Sequence, residues 1–241
     1  MKVLCVIPAR YASTRLPGKP LKLIVGKPMI QWVYEQAVKA RAPFEVLVAT
    51  DDQRVYDAVT AFGGKAMMTR ADHPSGTDRL AEVAGHYPDV DVVVNVQGDE
   101  PMLPPEIIDR LAAVFAEDET VDMATMKVEM RPEEYNQPAA VKVVTDKNGY
   151  ALYFSRSLLP YPRKQVAGAK VYKHVGVYAY RRDFLLKYAK MQPTMLEQVE
   201  SLEQLRALEN GYKIKVLESA FQGVGVDTQE DLDAVNKLLG G

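Results

Sequence analysis

Apolar residues in the first 120 positions follow two alternating patterns along the chain. Short continuous apolar runs, rich in β-branched residues, are typical of strands buried on both faces of a parallel sheet. The stretches between these runs carry apolar residues at every third or fourth position, which predicts amphipathic helices. The predicted elements are strands at 3–7, 45–50, 65–69 and 91–96, and helices at 28–40, about 52–62 and 105–116, with one more helix after Ser75-Gly76-Thr77. This alternation indicates parallel, right-handed βαβ units.

The pattern changes after residue 120, where strand-like runs follow each other with little helix between them. The pair Asn148-Gly149 predicts a hairpin turn between two of these runs. The predicted elements are strands at 121–128, 140–145, 150–155, 171–181 and 213–217, helices at about 181–190 and 196–209, and a C-terminal helix carrying Leu232, Val235, Leu238 and Leu239. The expected fold class is therefore α/β, with a mostly parallel sheet and a mixed or antiparallel extension.

Length and composition narrow the class of protein. The chain has 241 residues, of which 47% are hydrophobic and 26% charged, and no long linker, so we expect a single domain over 1–241. The net charge is 30 − 32 = −2, which gives no overall positive field, so no nucleic-acid or membrane partner is expected. Cys5 is the only cysteine, which excludes an intrachain disulfide. No apolar run is long enough to span a bilayer and a strand begins the chain directly, so a cytoplasmic protein is expected.

A cationic loop, which we define as residues 8–20, follows the first predicted strand. It carries Arg10, Arg15 and Lys19, close enough in sequence to converge on one polyanion. Loops at the carboxyl ends of α/β strands commonly carry ligand sites. The loop contains neither a Walker A motif nor the dinucleotide motif G-x-G-x-x-G. A phosphate site and a solvated basic loop both remain possible from these residues alone.

Acidic residues at two other places could bind a hard cation. Asp99 follows the predicted central strand 91–96, and Mg²⁺ prefers carboxylate oxygens, sharing its ligands with substrate phosphates. The alternative is that Asp99 only caps the turn into the next helix. Near the C-terminus, Asp227 or Thr228 could be the N-cap of the last helix.

Other polar residues lie where a substrate could contact them. Ser75 leads a predicted helix N-terminus, which suits a carbonyl or an anion, although ordinary capping explains it as well. Arg156 has the planar fork that grips a carboxylate. His174 and Tyr178, four apart on a strand, point to the same face, where packing is the alternative role. Helix 196–209 carries a polar stripe, Glu200, Glu203 and Gln204, which could contact a substrate. The alternative is that the stripe simply faces solvent, as most do.

Together these motifs resemble the 3-deoxy-manno-octulosonate cytidylyltransferase (CMP-Kdo synthetase) family. The matching segments are P-A-R-Y-x-S-T-R-L-P-G-K-P-L from residue 8, H-x-S-G-T from 73, V-N-V-Q-G-D-E-P from 94, Y-F-S-R-S from 153, K-H-V-G-V-Y from 173, L-E-Q-L-R from 202 and G-V-D-T-Q-E-D-L from 225. The matches run in the family's order from residue 3 to about 232. The stretch 161–173 has no match, and its contacts are left open.

The resemblance implies a Rossmann-like nucleotidyltransferase that joins CTP and Kdo to give CMP-Kdo and pyrophosphate. It also implies Mg²⁺ as cofactor, a homodimer, and a product used in lipopolysaccharide synthesis. Residues 1–120 would bind the nucleotide, and 121–241 would bind the sugar acid and form the dimer. The nearest alternative is a sister enzyme acting on sialic acid or 8-amino Kdo. An alternative of another class is a regulatory protein that binds CTP without turnover.

The resemblance also assigns roles to individual residues. The residues implied to bind the CTP phosphates are Ala9, Arg10, Arg15 and Lys19, and those implied to bind cytosine are Arg70, Ser75 and Gly76. The residues implied to bind the sugar acid are Gln97, Arg156, His174, Tyr178, Glu203 and Gln204. The implied metal ligands are Asp99 and Asp227, and the implied catalytic residues are Arg10, Arg15, Lys19 and Asp99.

Overall fold

The centre of the molecule is a mixed sheet, seen in a computed structural model that describes residues 1–164, 166–223 and 225–240. Within the described residues, eleven strands and eight α-helices are found. The strands are β1 (Val3–Pro8), β2 (Leu23–Ile24), β3 (Lys27–Pro28), β4 (Pro43–Thr50), β5 (Ala66–Met68), β6 (Val92–Asn95), β7 (Met123–Glu129), β8 (Lys142–Thr145), β9 (Ala151–Ser155), β10 (Tyr172–Arg181) and β11 (Ile214–Ser219).

The first four helices connect strands of the parallel part, and the other four follow β10 along the chain. The helices are α1 (Met29–Ala37), α2 (Gln53–Ala61), α3 (Gly76–Gly85), α4 (Pro105–Glu117), α5 (Arg182–Tyr188), α6 (Met195–Glu200), α7 (Gln204–Glu209) and α8 (Gln229–Gly240). In the part of the chain that the structure describes, none of them combines the length and the hydropathy needed to cross a bilayer.

Strand direction in the sheet agrees with the sequence prediction. The main path runs β11-β7-β10-β6-β1-β4-β5, and β8 and β9 extend it from β10. Strand β1 pairs in parallel with β4 and β6, β4 pairs in parallel with β5, and β7 pairs in parallel with β11. Strand β10 is antiparallel to both of its neighbours in the path, β6 and β7. The predicted mostly parallel sheet with a mixed extension is therefore confirmed.

Helices cover both faces of the sheet, which explains the unbroken apolar runs of its central strands. In β1, Cys5 and Ile7 face the core under α1, α2 and α4. Leu4 and Val6 face the other core, under α3, α5 and α7. Because β1 and β6 are parallel neighbours, their carboxyl ends meet at one edge of the sheet, with helices on both faces.

The predicted helix 196–209 is wrong, because it is two short helices. Helix α6 ends at Glu200, and Ser201 adopts the left-handed conformation with φ 51° and ψ 50°. Helix α7 begins only at Gln204. The apolar spacing continues through the break, so the pattern of Leu202 and Leu205 carried no signal of it. The break turns the chain so that Glu203 and Gln204 face the carboxyl edge of the sheet.

A small hairpin, β2–β3, was not predicted. Its two turn residues, Val25 and Gly26, have φ 48° and 78°. Two positive φ values are typical of a type I′ turn, but valine is an unfavourable residue there, so the sequence carries only half of the usual signal. The hairpin supports α8, since Asn236 Oδ1 accepts a hydrogen bond from the Val25 N–H at 2.9 Å and Asn236 Nδ2 donates to the Leu23 carbonyl.

We expect Val25→Asn to stabilise the protein. Asparagine tolerates the left-handed conformation, which costs a β-branched residue roughly 1–2 kcal/mol. Because Val25 is 47% exposed, little apolar burial is lost. A gain of about 1 kcal/mol corresponds to a rise in melting temperature of roughly 2–4 °C for a chain of this size. Thermal unfolding by circular dichroism measures it.

Val38→Asn is the matched control, because Val38 is 48% exposed but has a right-handed φ of −71°. The control should not raise the melting temperature. An equal change in both variants would contradict the interpretation of the turn.

Candidate active site

The cationic loop forms one wall of a cleft of about 430 Å³ at the carboxyl ends of β1 and β6. Gly18 adopts φ 69°, which lets the loop turn into the 3-10 helix that carries Lys19. The opposite wall comes from the segment after β6 and from the chain before α8. The lining residues are Pro8, Ala9, Arg10, Ala12, Ser13, Thr14, Arg15, Lys19, Pro20, Gln97, Gly98, Asp99 and Asp227.

Lys19 connects the two predicted metal ligands. Its Nζ lies 2.5 Å from Asp99 Oδ2 and 2.8 Å from Asp227 Oδ1, and its side chain is only 14% exposed. Arg15 adds a second cation, 3.2 Å from Asp227 Oδ2. Burial lowers the pKa of the Lys19 ammonium, but the charge of Asp99 and the hydrogen bonds to both carboxylates outweigh burial, so the pKa is raised. Lys19 is therefore held as a cation between two carboxylates.

Capping does not account for either carboxylate. Helix α8 is capped by Thr228, whose Oγ1 accepts from the Asp231 N–H at 3.2 Å, while Asp231 Oδ2 accepts from the Thr228 N–H at 2.9 Å. Helix α4 follows Pro104, well beyond Asp99. The Val226 N–H donates to the Asp99 carbonyl at 2.9 Å, which fixes the approach of the C-terminal segment. Both carboxylates are thus available to face the cleft.

Glu100 lies behind these carboxylates in a tight space. Burial, followed by the charge of Asp99, raises the pKa of Glu100 to about 7. A Cβ atom at Gly225 would lie 3.3 Å from Glu100 Oε1, so a glycine there permits the close approach of the segment. Within the described ranges, Glu100 Oε2 is buried without a hydrogen-bond partner. The raised pKa shows that this part of the site resists further negative charge, and such an environment favours a cation.

Arg10 links the cationic loop to the N-terminus of α3. Its guanidinium donates to the backbone carbonyls of His73 and Ser75, the latter at 3.2 Å. Ser75 is the N-cap of α3, and its Oγ accepts from the Asp78 N–H at 3.2 Å. Arg70 lies on the surface instead, 69% exposed and paired with Asp72 at 2.6 Å. The cytosine roles predicted for Arg70, Ser75 and Gly76 stay predictions.

A second, smaller cavity of about 140 Å³ adjoins the cleft at Gln97, which lines both. It brings together four of the predicted sugar-acid residues. The lining residues are Gly76, Thr77, Asn95, Gln97, Met123, Tyr178, Tyr180, Tyr188, Glu203 and Gln204. Burial raises the pKa of the Glu203 carboxyl. The Tyr188 hydroxyl donates to the Glu203 carbonyl at 2.6 Å and so holds the start of α7.

His174 and Arg156 do not line either cavity in the described part of the chain. His174 Nε2 lies 3.0 Å from Thr125 Oγ1, and burial lowers the pKa of its ring to about 3, so the ring is neutral. The Arg156 guanidinium donates to the backbone carbonyls of residues 138, 200 and 201, at 3.0, 2.7 and 3.2 Å. The sugar-acid roles of both residues therefore stay predictions.

Sequence reasoning missed several residues of the smaller cavity. Tyr180 could have been found, since it lies two positions after Tyr178 and shares its face of β10. Asn95 is the one polar residue in the predicted strand 91–96 apart from its first residue, which was a usable signal. Tyr188 and Thr77 come from α5 and α3, and only the packing of these helices on the sheet brings them there.

Comparison with known proteins identifies the family. A sequence model described as Cytidylyltransferase matches residues 4–214, and the chain belongs to this family. More narrowly, it belongs with the 3-deoxy-manno-octulosonate cytidylyltransferases, as the sequence predicted. The Fusobacterium nucleatum enzyme of that name is 53% identical over 98% of this chain and 96% of its own length. The Geobacter metallireducens enzyme is 54% identical over 99% of this chain and 98% of its own.

Solved structures support the same assignment. The structure of a CMP:2-keto-3-deoxy-manno-octonic acid synthetase complexed with CTP has a TM-score of 0.95 and 51% identity. The match covers 100% of this chain and 99% of that structure's chain. A cytidylyltransferase from Leptospira borgpetersenii, at 17% identity and a TM-score of 0.64, covers 100% of this chain and 87% of its own; it shares the fold alone.

The neutral His174 predicts a pH dependence of stability. The folded-state pKa is about 3 and the ordinary value is 6.5, so below pH 6.5 the unfolded chain takes up a proton that the folded chain does not. The contribution of His174 is complete above pH 6.5 and is lost as the pH falls toward 3. At pH 5.5 the loss should be about 1.4 kcal/mol.

Urea unfolding at pH 7.5 and 5.5 measures this loss. Between pH 7.5 and 5.5 the change in stability should be about 1.4 kcal/mol more favourable in His174→Gln than in the wild type, because other groups such as Glu100 contribute equally to both proteins. His86 is exposed, so His86→Gln should keep the wild-type dependence. Equal pH dependence in the wild type and in His174→Gln would contradict the prediction.

Proposed function

We propose that this chain is a 3-deoxy-manno-octulosonate cytidylyltransferase, which activates Kdo with CTP and releases pyrophosphate. The observation that supports this proposal is the junction of two cavities at Gln97. One is lined by the cationic loop and two carboxylates, and the other by amides, hydroxyls and a partly buried carboxyl. A triphosphate and a polyhydroxylated acid would meet where the two cavities join.

In the proposed reaction the anomeric hydroxyl oxygen of Kdo attacks the α-phosphorus of CTP. The new oxygen–phosphorus bond forms as the bond to the pyrophosphate oxygen breaks, and the hydroxyl proton passes to solvent water. Arg10, Arg15 and Lys19 would bind the phosphates and stabilise the charge that accumulates on pyrophosphate. Catalysis of this kind depends on positioning and electrostatics, so no covalent nucleophile is needed.

Magnesium is part of the proposal, and Asp99 and Asp227 are the residues that would hold it. In the described residues no group of three His, Cys, Asp or Glu side chains is placed to hold a metal. Two carboxylates nevertheless suit Mg²⁺, which usually takes one or two from the protein and the rest from water and substrate phosphates. The cation now between them is Lys19. Bound magnesium would neutralise phosphate charge.

Several broader features belong to the same proposal. We propose that the halves 1–120 and 121–241 act as one catalytic domain, because β10 lies in the sheet directly beside β6. The chain would work in the cytoplasm, and its product would supply lipopolysaccharide synthesis, as the resemblance implies. A homodimer is also proposed. The exposed side chains of Tyr161 and Val166, 81% and 67% accessible, offer it apolar surface in the second half.

The experiment that tests the function is release of pyrophosphate with CTP, magnesium and a panel of sugar acids. We expect release with Kdo. A clear preference for sialic acid or 8-amino Kdo would instead identify a sister enzyme. Binding of CTP with no release for any acid in the panel would favour a regulatory nucleotide-binding protein.

Lys19→Met should lower turnover at saturating CTP by roughly 10²–10³-fold, the usual effect of losing one charged or polar contact to a developing negative charge. The methionine keeps the length of the side chain but removes the ammonium. Lys22→Met is the matched control, since Lys22 does not line the cleft in the described residues, and its turnover should be close to that of the wild type. Similar turnover in both variants would place the phosphates elsewhere.

Asp227→Asn should lower turnover by about 10²-fold and raise the magnesium concentration needed for half-maximal rate, because a metal ion contributes several kcal/mol to such reactions. Its melting temperature should change little, since Thr228 supplies the cap of α8. Pyrophosphate release titrated with magnesium measures the effect. If Asp99 and Asp227 act on one ion, the double Asn variant should be no worse than the worse single variant.

Thr228→Ala is the contrasting variant. Loss of a cap costs about 1 kcal/mol, so its melting temperature should fall while its magnesium requirement stays the same. Turnover of Asp227→Asn within a factor of a few of wild type at limiting magnesium would contradict the shared metal site.

A further inference from the structure

Asn95 is the last residue of β6 and the one polar side chain of that strand. Val92 and Val94 belong to the core on one face of the sheet, and Val93 belongs to the core on the other face. By alternation, Asn95 shares the face of Val93. It is 4% exposed and lies in register between Val6 of β1 and Tyr178 of β10. An amide therefore stands where the pattern would place another valine.

The Asn95 side chain also lacks the contacts that a buried amide requires. Among the residues that the structure describes, its Oδ1 atom is buried and has no hydrogen-bond partner. Most buried polar side-chain atoms do have a partner, because leaving one unpaired has a cost in free energy. An isosteric apolar residue would avoid that cost. A structural role alone thus does not explain the amide.

The surroundings of Asn95 show where the missing partner can come from. Asn95 lines the cavity of about 140 Å³ together with Gln97 and Glu203, the two residues between which the proposed sugar acid would lie. Thr77 and Tyr188 contribute hydroxyl-bearing side chains to the same cavity. A sugar hydroxyl can donate one hydrogen bond and accept others, so it suits a cavity that combines an unmatched acceptor with these groups.

We infer that Asn95 determines specificity by accepting a hydrogen bond from one hydroxyl group of the sugar acid. The inference rests on the proposed function. A site built to accept a hydrogen bond from a substrate hydroxyl rejects an analogue that lacks the group, because its own buried atom is then left unpaired. Asn95 would thus reject acids that lack that hydroxyl, and it would not affect the binding of CTP.

Asn95→Leu tests this inference, because leucine has a similar shape without the amide. We expect the KM for Kdo to rise by about tenfold or more, since one hydrogen bond to a buried acceptor is lost. The KM for CTP should stay within about twofold. The melting temperature of the free protein should stay the same or rise, because the unpaired oxygen is gone. A structural amide would give the reverse, a lower melting temperature with both KM values changed in parallel.

Thr50→Val is the matched control. Thr50 is also fully buried at the end of a strand, but its Oγ1 has a partner, the Asp52 N–H at 3.2 Å, and β1 separates its strand from β6. This variant should lower the melting temperature and leave the KM for Kdo unchanged. If Asn95→Leu does not fold, Asn95→Val continues the valine run of β6 and should show the same selective loss.

A series of Kdo analogues, each lacking one hydroxyl, identifies the contact. Calorimetry of their binding to the CTP-loaded protein without magnesium is used, so that the acids are bound but not consumed, and a failure of turnover, which concerns the proposed function, remains a separate result. In the wild type, one analogue should bind about tenfold or more weakly than Kdo, and Asn95→Leu should bind that analogue and Kdo equally. The inference is overturned if folded variants bind Kdo as the wild type does. It is also overturned if every analogue loses the same affinity relative to Kdo. That result is expected if Asn95 binds a trapped water molecule and no sugar hydroxyl.

Discussion

The arrangement of the active site depends on the Lys19 ammonium between Asp99 and Asp227. Both carboxylates lie within 2.8 Å of the same nitrogen, and they would repel each other without a cation between them. Lys19 comes from the cationic loop, Asp99 from the segment after β6, and Asp227 from the chain before α8. One ammonium group thus joins three segments that are far apart in sequence. Its burial strengthens the attraction, since solvent screens a buried pair less than an exposed one.

The position of the C-terminal helix α8 is tied to the same ion pairs, because Asp227 lies just before it. Helix α8 packs on the β2–β3 hairpin through a separate apolar cluster that includes Leu16, Ile24 and Val235. Leu16 belongs to the cationic loop, so the loop and α8 share one small core. The hydrogen bond from Val226 to the Asp99 carbonyl then aligns the segment with the end of β6. Packing and charge therefore act on the same loop from two sides.

The sequence predicted the central strands well because burial on both faces leaves an unbroken apolar run, as in β1 and β6. It also predicted which loops face the carboxyl edge, since strand direction alone decides that. It did not predict the break at Ser201, because a serine in the left-handed conformation leaves the apolar spacing intact. Nor could it show that the Arg156 donors meet backbone carbonyls. Those contacts depend on how distant segments pack.

Strand β10 is antiparallel to β6 and β7, so it presents side chains at the edge of the sheet in a different way from the parallel strands. A parallel strand brings only the loop after it to that edge, and the loops after β1 and β6 carry the charged residues proposed to bind the phosphates and magnesium. The antiparallel strand instead passes through the edge within its own length, so Tyr178 stands beside Asn95 on rigid backbone. Under the proposed function, side chains along β10 would therefore be open to substitution for another acceptor acid without any change in the loops proposed to bind the phosphates.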